Sequence, residues 1–345
     1  MKGHPPILIV GLPRSGTTWI GAVLSSAPGT AYLFEPDNEG LSPVAWLCKR
    51  SLHRFPYLAV DDLADDYQHL WATTLTGPRW MWLANSALGQ LLRRKAFEVE
   101  AGIGEKCGLV YVDERMHRVG RPGQVQPYRV DSHPITARLS RLLTAANWEA
   151  RQGARRIIKS VHASLSLEWI AGRFPVEIVV VLRNPFSLVA SYKRMRLPDS
   201  YRNLPVQDNL LRDWSQYLPT GSRVARPEPV DQMAFQIMLM YRIIERQCGA
   251  HPEWTLLSHD RLCIAPEPGY GSVFRMLGLH WTGDTDRKIS ELGGAGERFS
   301  PRRIAAQEPS KWKGELTPEE QHSIEHWIDA FDLSDFFEEN VYIQE

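Results

Sequence analysis

The stretch Ile7-Leu-Ile-Val-Gly-Leu-Pro-Arg-Ser-Gly-Thr-Thr-Trp19 constrains the fold more than any other part of the chain. Ile7 to Val10 is an unbroken run of β-branched residues and leucine, the pattern of a strand buried on both faces in a parallel sheet. Gly11 to Gly16 reads as a tight turn. Trp19, Ile20, Val23, Leu24 and Ala27 then recur at helical spacing and predict a helix over 17–27. A strand, a glycine loop and a helix in that order cradle one anion, because loop N–H groups and the positive end of the helix dipole converge on it. The spacing Gly11-x4-Gly16 is that of a Walker loop, but Thr17 stands where that loop has its lysine. The cation lies inside the loop instead, at Arg14. Such a cradle suits a phosphate group but lacks the side chain that reaches the β and γ phosphates of ATP.

Pro13-Arg-Ser-Gly-Thr-Thr18 closely resembles the 5′-phosphosulfate loop of sulfotransferases that use 3′-phosphoadenosine 5′-phosphosulfate (PAPS). The resemblance implies that Arg14, Ser15, Gly16, Thr17 and Thr18, with Trp19 beside them, form the cofactor site. It also implies that Arg14 meets charge on the transferred group.

Ala31-Tyr-Leu-Phe-Glu-Pro36 predicts a second short strand over 32–34, with Glu35 at its end and Pro36 stopping it. A carboxylate at the end of a neighbouring strand can face the same ligand as the loop; a surface-turn acid is the plainer reading of these residues alone. In tyrosylprotein sulfotransferases and several bacterial relatives a glutamate at this place removes the acceptor's proton, and the resemblance gives that role to Glu35. A base of this kind is expected to be desolvated enough to raise its pKa toward working pH.

Arg155-Arg-Ile-Ile-Lys-Ser-Val161 predicts another strand, with Lys159 near its carboxyl end, where ligands bind in open α/β sheets. Lys159 resembles the lysine of the family's Lys-x-His strand, which stabilises charge on the sulfate and its bridging oxygen. The family's cytosolic branch has its catalytic histidine two places after that lysine, whereas His162 comes three after. A one-residue slip in a strand turns a side chain to the opposite face. Glu35 and His162 therefore both stand as candidate bases, with Glu35 favoured.

Val176 to Leu182 is the strongest parallel-strand signal, and Arg183-Asn-Pro follows it, with Pro185 suited to a first helical turn. Arg183 at the strand end and Ser191 eight residues on match the family's 3′-phosphate signature. Helices are expected over 70–92, 133–148, 187–195 and 231–247, a strand over 254–258, and a long loop or lid over 102–123. Thr317-Pro-Glu-Glu320 is a capping box opening the last helix. In relatives a carboxyl-terminal segment with a Lys-Trp or Trp-Lys pair closes over the nucleotide. The resemblance makes Lys311 and Lys313 of Lys-Trp-Lys313 cofactor candidates, together with Arg302 and Arg303, and leaves Arg194 and Arg196 as further basic candidates.

Composition narrows the partners. Forty basic and forty acidic residues cancel, which gives no electrostatic reason for nucleic acid or an anionic membrane as partner. The four cysteines form no Cys-x-x-Cys pair and suggest neither a zinc site nor a disulfide framework. Residues 1–6 lack the apolar core of a leader and no stretch approaches a membrane span, so a cytoplasmic location is expected.

The fold expected is α/β, a three-layer sandwich with a central parallel sheet of the P-loop nucleotide-binding type. It is expected as a single domain over 1–345, with 37–150 as a helical and loop insertion that contributes to acceptor recognition. The activity the resemblance implies is transfer of a sulfuryl group from PAPS to a hydroxyl or amine of a small-molecule or carbohydrate acceptor, without a metal, leaving 3′-phosphoadenosine 5′-phosphate (PAP). Two alternatives stay open: a P-loop small-molecule kinase, and a non-catalytic nucleotide-binding protein that keeps Arg183 and Ser191 but needs neither Glu35 nor Lys159.

Overall fold

Five short apolar runs pair side by side as one parallel sheet. In a computed structural model, which describes residues 4–38, 45, 48–49, 52–76, 111–112, 118–119, 154–195, 207–218, 229–293 and 305–342, the strands are β1 Ile7–Gly11, β2 Thr30–Phe34, β3 Arg155–Ser160, β4 Glu177–Leu182 and β5 Thr255–Ser258. Their order is β2-β3-β1-β4-β5, and every pairing is parallel. Because successive side chains point to opposite faces, Leu8, Val10, Ile158, Ile178 and Val180 fill one core layer while Ile7, Ile9, Ile157, Val179 and Val181 fill the other. Apolar residues at consecutive positions are thus a direct consequence of burial on both faces.

The helices that cover these faces are α1 Thr17–Leu24, α2 Asp65–Thr76, α3 Pro185–Met195, α4 Pro229–Ala250, α5 His259–Ile264, α6 Pro266–Met276, α7 Gly283–Leu292 and α8 Pro318–Ala330. Tyr67 and Trp71 of α2, Leu188 and Tyr192 of α3, Met238 and Tyr241 of α4 and Ile324 of α8 pack on the first face. Trp19 and Ile20 of α1, Tyr270 and Phe274 of α6 and Ile289 of α7 pack on the second. The result is the expected three-layer α/β sandwich. α1 stops at Leu24, short of the expected end, because the N–H groups of Ser26 and Ala27 bond three residues back, to Val23 and Leu24, ahead of Pro28. The capping box forms as read, with Thr317 and Glu320 exchanging side-chain and backbone hydrogen bonds. Within the stretch 102–123, expected as loop, Tyr111–Val112 and Arg118–Val119 pair as a short antiparallel ladder. The expected helix over 133–148, the later part of 70–92, most of the glycine- and arginine-rich stretch 292–306 and residues Arg196, Arg302 and Arg303 lie outside the described residues.

Parallel strands bring their carboxyl ends to one edge, so the residues following β1 to β5 share it. The registers Ile9 with Lys159 and Phe34 with Lys159 set β2 and β3 next to the loop after β1. That loop needs two glycines for different reasons. A Cβ on Gly11 would lie 2.6 Å from both Ser15 Oγ and the Val181 carbonyl oxygen, and Gly16 has φ +91° with a would-be Cβ 2.0 Å from His259 Cδ2. Gly29, with φ +73° and open space, shares the backbone demand without the crowding. Gly16→Ala is therefore expected to destabilise the chain more than Gly29→Ala. The latter measures the left-handed strain of about 1–3 kcal/mol by itself. Equal urea midpoints for the two variants would refute the contact between α5 and the loop.

Candidate active site

The loop between β1 and α1 is stapled from several sides. Ser164 Oγ donates to the Gly11 carbonyl at 3.0 Å, Tyr192 Oη donates to the Pro13 carbonyl at 2.9 Å, and Arg183 Nη1 donates to the Arg14 carbonyl at 2.6 Å. Arg14 itself has φ +71°, a conformation costly for a side-chain-bearing residue, and its Nε donates to Ser191 Oγ at 3.3 Å. No side chain caps α1, and no acid stands in its first turn around Thr17 and Thr18. Ser15 is fully buried and its Oγ has no hydrogen-bond partner. A buried hydroxyl without a partner is costly unless a ligand completes it. Trp19 lies on the core side, edge-on to His259 at 5.8 Å and to Tyr270 at 5.4 Å.

Arg183-Asn-Pro185 serves three separate needs. Asn184 Oδ1 accepts from the backbone N–H groups of Phe186 and Ser187 and so caps α3, and Pro185 occupies the first helical position, where no N–H is missed. Arg183 is pinned through its backbone, since Tyr241 Oη accepts from its N–H at 3.2 Å and donates to its carbonyl at 2.8 Å. The buried guanidinium then reaches the loop carbonyl and, through Nη2, Glu308 Oε2 at 3.1 Å, while its Nε has no partner. Ser191 lies two turns into α3 and is buried against Arg14. Arg183, Ser191 and Arg14, which carry the two sequence signatures, therefore meet at one place.

Glu35 and Lys159 form a second centre at the ends of β2 and β3. Their side chains are 4% and 5% exposed and are joined as an ion pair through Glu35 Oε1. Asn38 Nδ2 donates to the other oxygen, Oε2, at 3.3 Å. The Glu35 backbone has φ +48°, so the chain turns left-handed directly after β2 while its N–H keeps the ladder to the Lys159 carbonyl at 2.7 Å. The Phe34 ring, 47% exposed, lies 4.8 Å from Lys159 Nζ and shields the ammonium on that side. Burial pushes the Glu35 carboxyl up. The charges of Lys159 and His162, with hydrogen bonds from Lys159 and Asn38, outweigh it and hold the carboxyl below its ordinary value. The raised pKa expected for a desolvated base is thus reversed: Glu35 is held ionised.

His162 opens the short 3-10 turn His162–Leu165 and is buried. Ser160 Oγ caps that turn by accepting from the N–H groups of His162 and Ala163, both at 3.1 Å. The ring packs edge-on against Phe55 at 4.9 Å. Its Nε2 lies 3.3 Å from Arg54 Nε and its Nδ1 lies 3.3 Å from the Asp37 carbonyl oxygen. Lys49, also buried, donates to the carbonyls of Asp37 and Arg54 and lies 3.3 Å from the same Nδ1. Asp37 accepts from Ser160 Oγ at 2.6 Å and Tyr67 Oη at 3.0 Å. Both nitrogens of His162 are committed to this network, whereas Glu35 stands directly on Lys159.

Two further groups complete the surroundings. His259 lies against Gly16, and burial, followed by the charges of Arg183 and Arg14, pushes its pKa well below the ordinary value, so it is a neutral wall of the loop. Asp260 accepts from the Asn184 N–H at 2.9 Å; burial raises its carboxyl despite the nearby Arg183. The segment Ala305–Gly314 brings Lys311 to Glu308, whereas Lys313 lies over the Trp312 ring at 6.0 Å. Asp37, Lys49 and Glu308 have no motif around them in the sequence; only tertiary contacts reveal them.

The chemistry of these residues fits an oxyanion donor. Ser15 Oγ on the loop, next to an uncapped helix start, and the Nε of Arg183, whose guanidinium reaches the loop from the end of β4, are both buried without partners. The fold and this site define a parallel α/β protein with a cradle of anion-binding chemistry at the carboxyl edge of its sheet. A model described as the sulfotransferase family matches residues 5–223, more than half of the chain, and the chain belongs to that family. Among solved structures, the sulfotransferase domain of the olefin synthase from Synechococcus PCC 7002 aligns at 14% identity and TM-score 0.46, covering 96% of each chain. The sulfotransferase domain from the curacin biosynthetic pathway aligns at 12% and 0.47, covering 93% of this chain and 97% of that one. Sulfotransferase STF9 from Mycobacterium avium aligns at 16% and 0.39, covering 95% and 77%. No curated protein sequence matches. No helix among the described residues is long and apolar enough to cross a membrane.

Proposed function

We propose that this sulfotransferase takes its sulfuryl group from PAPS and passes it by in-line displacement to a hydroxyl or amine of a small-molecule or carbohydrate acceptor. The observation that carries the reading is the meeting of Arg14, Arg183 and Ser191, which joins the 5′ loop and the 3′ clamp in one polar cluster. When bound, the donor supplies a sulfuryl group on a good leaving phosphate. Ser15, Thr17 and Thr18 would hold the 5′ end, and Arg183 with Ser191 the 3′ phosphate. Lys159, on the strand paired with β1, would offset charge on the leaving oxygen, and Glu35 would take the acceptor proton on its Oε2 side, where among the described residues the 3.3 Å contact from Asn38 must yield. Aligning the partners and offsetting charge is most of what such a transfer needs.

Calorimetry with the full chain tests the donor. PAP is expected to bind more tightly than 5′-AMP by about 1.5–3 kcal/mol, the worth of a charge-assisted pair to the 3′ phosphate. Equal affinities would remove PAPS as donor, and tighter binding of ATP with magnesium would favour the kinase. A transfer assay with radiolabelled donor against acceptor pools separates an enzyme from a protein that only binds nucleotide.

A further inference from the structure

We infer that the Glu308 carboxylate is a built-in stand-in for the donor's 3′ phosphate, occupying a subsite made by Arg183 and Lys311 until a nucleotide phosphomonoester displaces it. The inference rests on the PAPS reading above. Glu308 is 5% exposed; its Oε2 accepts from Arg183 Nη2 at 3.1 Å and its Oε1 pairs with Lys311. The same guanidinium holds the Arg14 carbonyl and thus belongs to the loop cluster. An internal anion therefore sits on the strand-end arginine that the nucleotide needs. A carboxylate and a phosphate dianion sharing that place would repel each other, so one excludes the other.

The segment Ala305–Gly314 is also docked by contacts that do not involve Glu308, so it can stay in place while the carboxylate is exchanged. Trp312 stacks on Phe186 at 4.6 Å, Ser187 Oγ donates to the Pro309 carbonyl at 3.5 Å, and Lys193 Nζ donates to the Glu315 carbonyl just beyond, at 3.1 Å. What favours phosphate over carboxylate is also present. Arg183 Nε is buried without a partner, so Glu308 does not saturate the guanidinium, and a third phosphate oxygen supplies the missing acceptor. Lys311, released from Glu308, becomes a wall of the phosphate site. A nucleotide without a 3′ phosphate has nothing to exchange for the carboxylate and leaves Glu308 in place.

Calorimetry with PAP and 5′-AMP on the wild-type chain, Glu308→Gln and Lys311→Met tests this. Glu308→Gln is expected to bind PAP about tenfold more tightly, within the usual range of site couplings, with AMP affinity unchanged. Lys311→Met is expected to bind PAP more weakly, again without changing AMP. Glu308→Asp retracts the carboxylate by one methylene and should also tighten PAP, which keeps the test available if the glutamine variant does not fold. Unchanged or weaker PAP binding in Glu308→Gln, or equal gains for PAP and AMP, overturns the inference. If the wild-type chain still prefers PAP to AMP in that case, the PAPS reading stands; equal wild-type affinities overturn both.

Discussion

Glu35→Gln is expected to lower turnover by about a hundredfold or more, the scale of general-base loss, while PAP affinity is kept. Glutamine preserves the volume and the hydrogen bond from Lys159 but cannot take a proton. The pH profile makes the prediction sharper. Lys159, His162 and Asn38 hold the Glu35 carboxyl below its ordinary value despite its burial, so it stays ionised as pH falls through the neutral range. The acid limb of kcat should then lie below the ordinary glutamate range rather than near the histidine value of about 6.5. His162→Gln should lower turnover much less, because both ring nitrogens are engaged by Arg54, Lys49 and Asp37, and its effect should come through the charge it lends to Glu35. An acid limb near neutrality that disappears in His162→Gln would transfer the role of base to His162.

The parts of this protein legible in the sequence are those whose cause is local. Ile7 to Val10 and Val176 to Leu182 announce buried parallel strands because each residue must be apolar whichever face it meets. Thr317 to Glu320 announces a helix start because its cap closes within four residues. Arg183 and Ser191 were legible through the family signature their eight-residue spacing matches, although their partner, Arg14, follows a different strand, β1, at the same edge of the sheet. What was not legible depends on long-range pairs of polar groups. The direction of the Glu35 shift rests on Lys159, 124 residues away, and the commitment of His162 rests on Lys49, 113 residues away. Glu308 reads as an ordinary loop acid until Arg183, 125 residues earlier, is placed against it. No periodicity encodes such pairs, and their burial reverses what exposure would suggest for charged residues.

Lys159→Ala is expected to change both stability and turnover, and the two effects have different origins. Lys159 and Glu35 are buried partners, so removing the ammonium leaves a carboxylate without its main counter-charge and is expected to cost about 3–5 kcal/mol at neutral pH, the usual penalty for breaking a buried pair. The sign of the pH dependence follows from the same contact. In the wild-type chain the depressed Glu35 pKa contributes stability above the unfolded carboxylate range, which is lost as pH falls through the lower folded value. Without Lys159, burial is opposed only by His162 and Asn38 among the causes acting on Glu35, so the carboxyl is expected to rise and the variant to regain stability relative to wild type as pH falls and Glu35 protonates. Urea unfolding should therefore show a gap between wild type and Lys159→Ala that is wide at pH 7.5 and narrower at pH 5. Adding Glu35→Gln should recover part of the loss at pH 7.5, because the amide needs no counter-charge. Turnover should not recover in that double variant, which lacks both the base and the donor at the leaving oxygen, each worth about a hundredfold or more. A gap that stays constant with pH would mean that Glu35 does not depend on Lys159. Full turnover in Lys159→Ala would place the lysine outside the reacting centre.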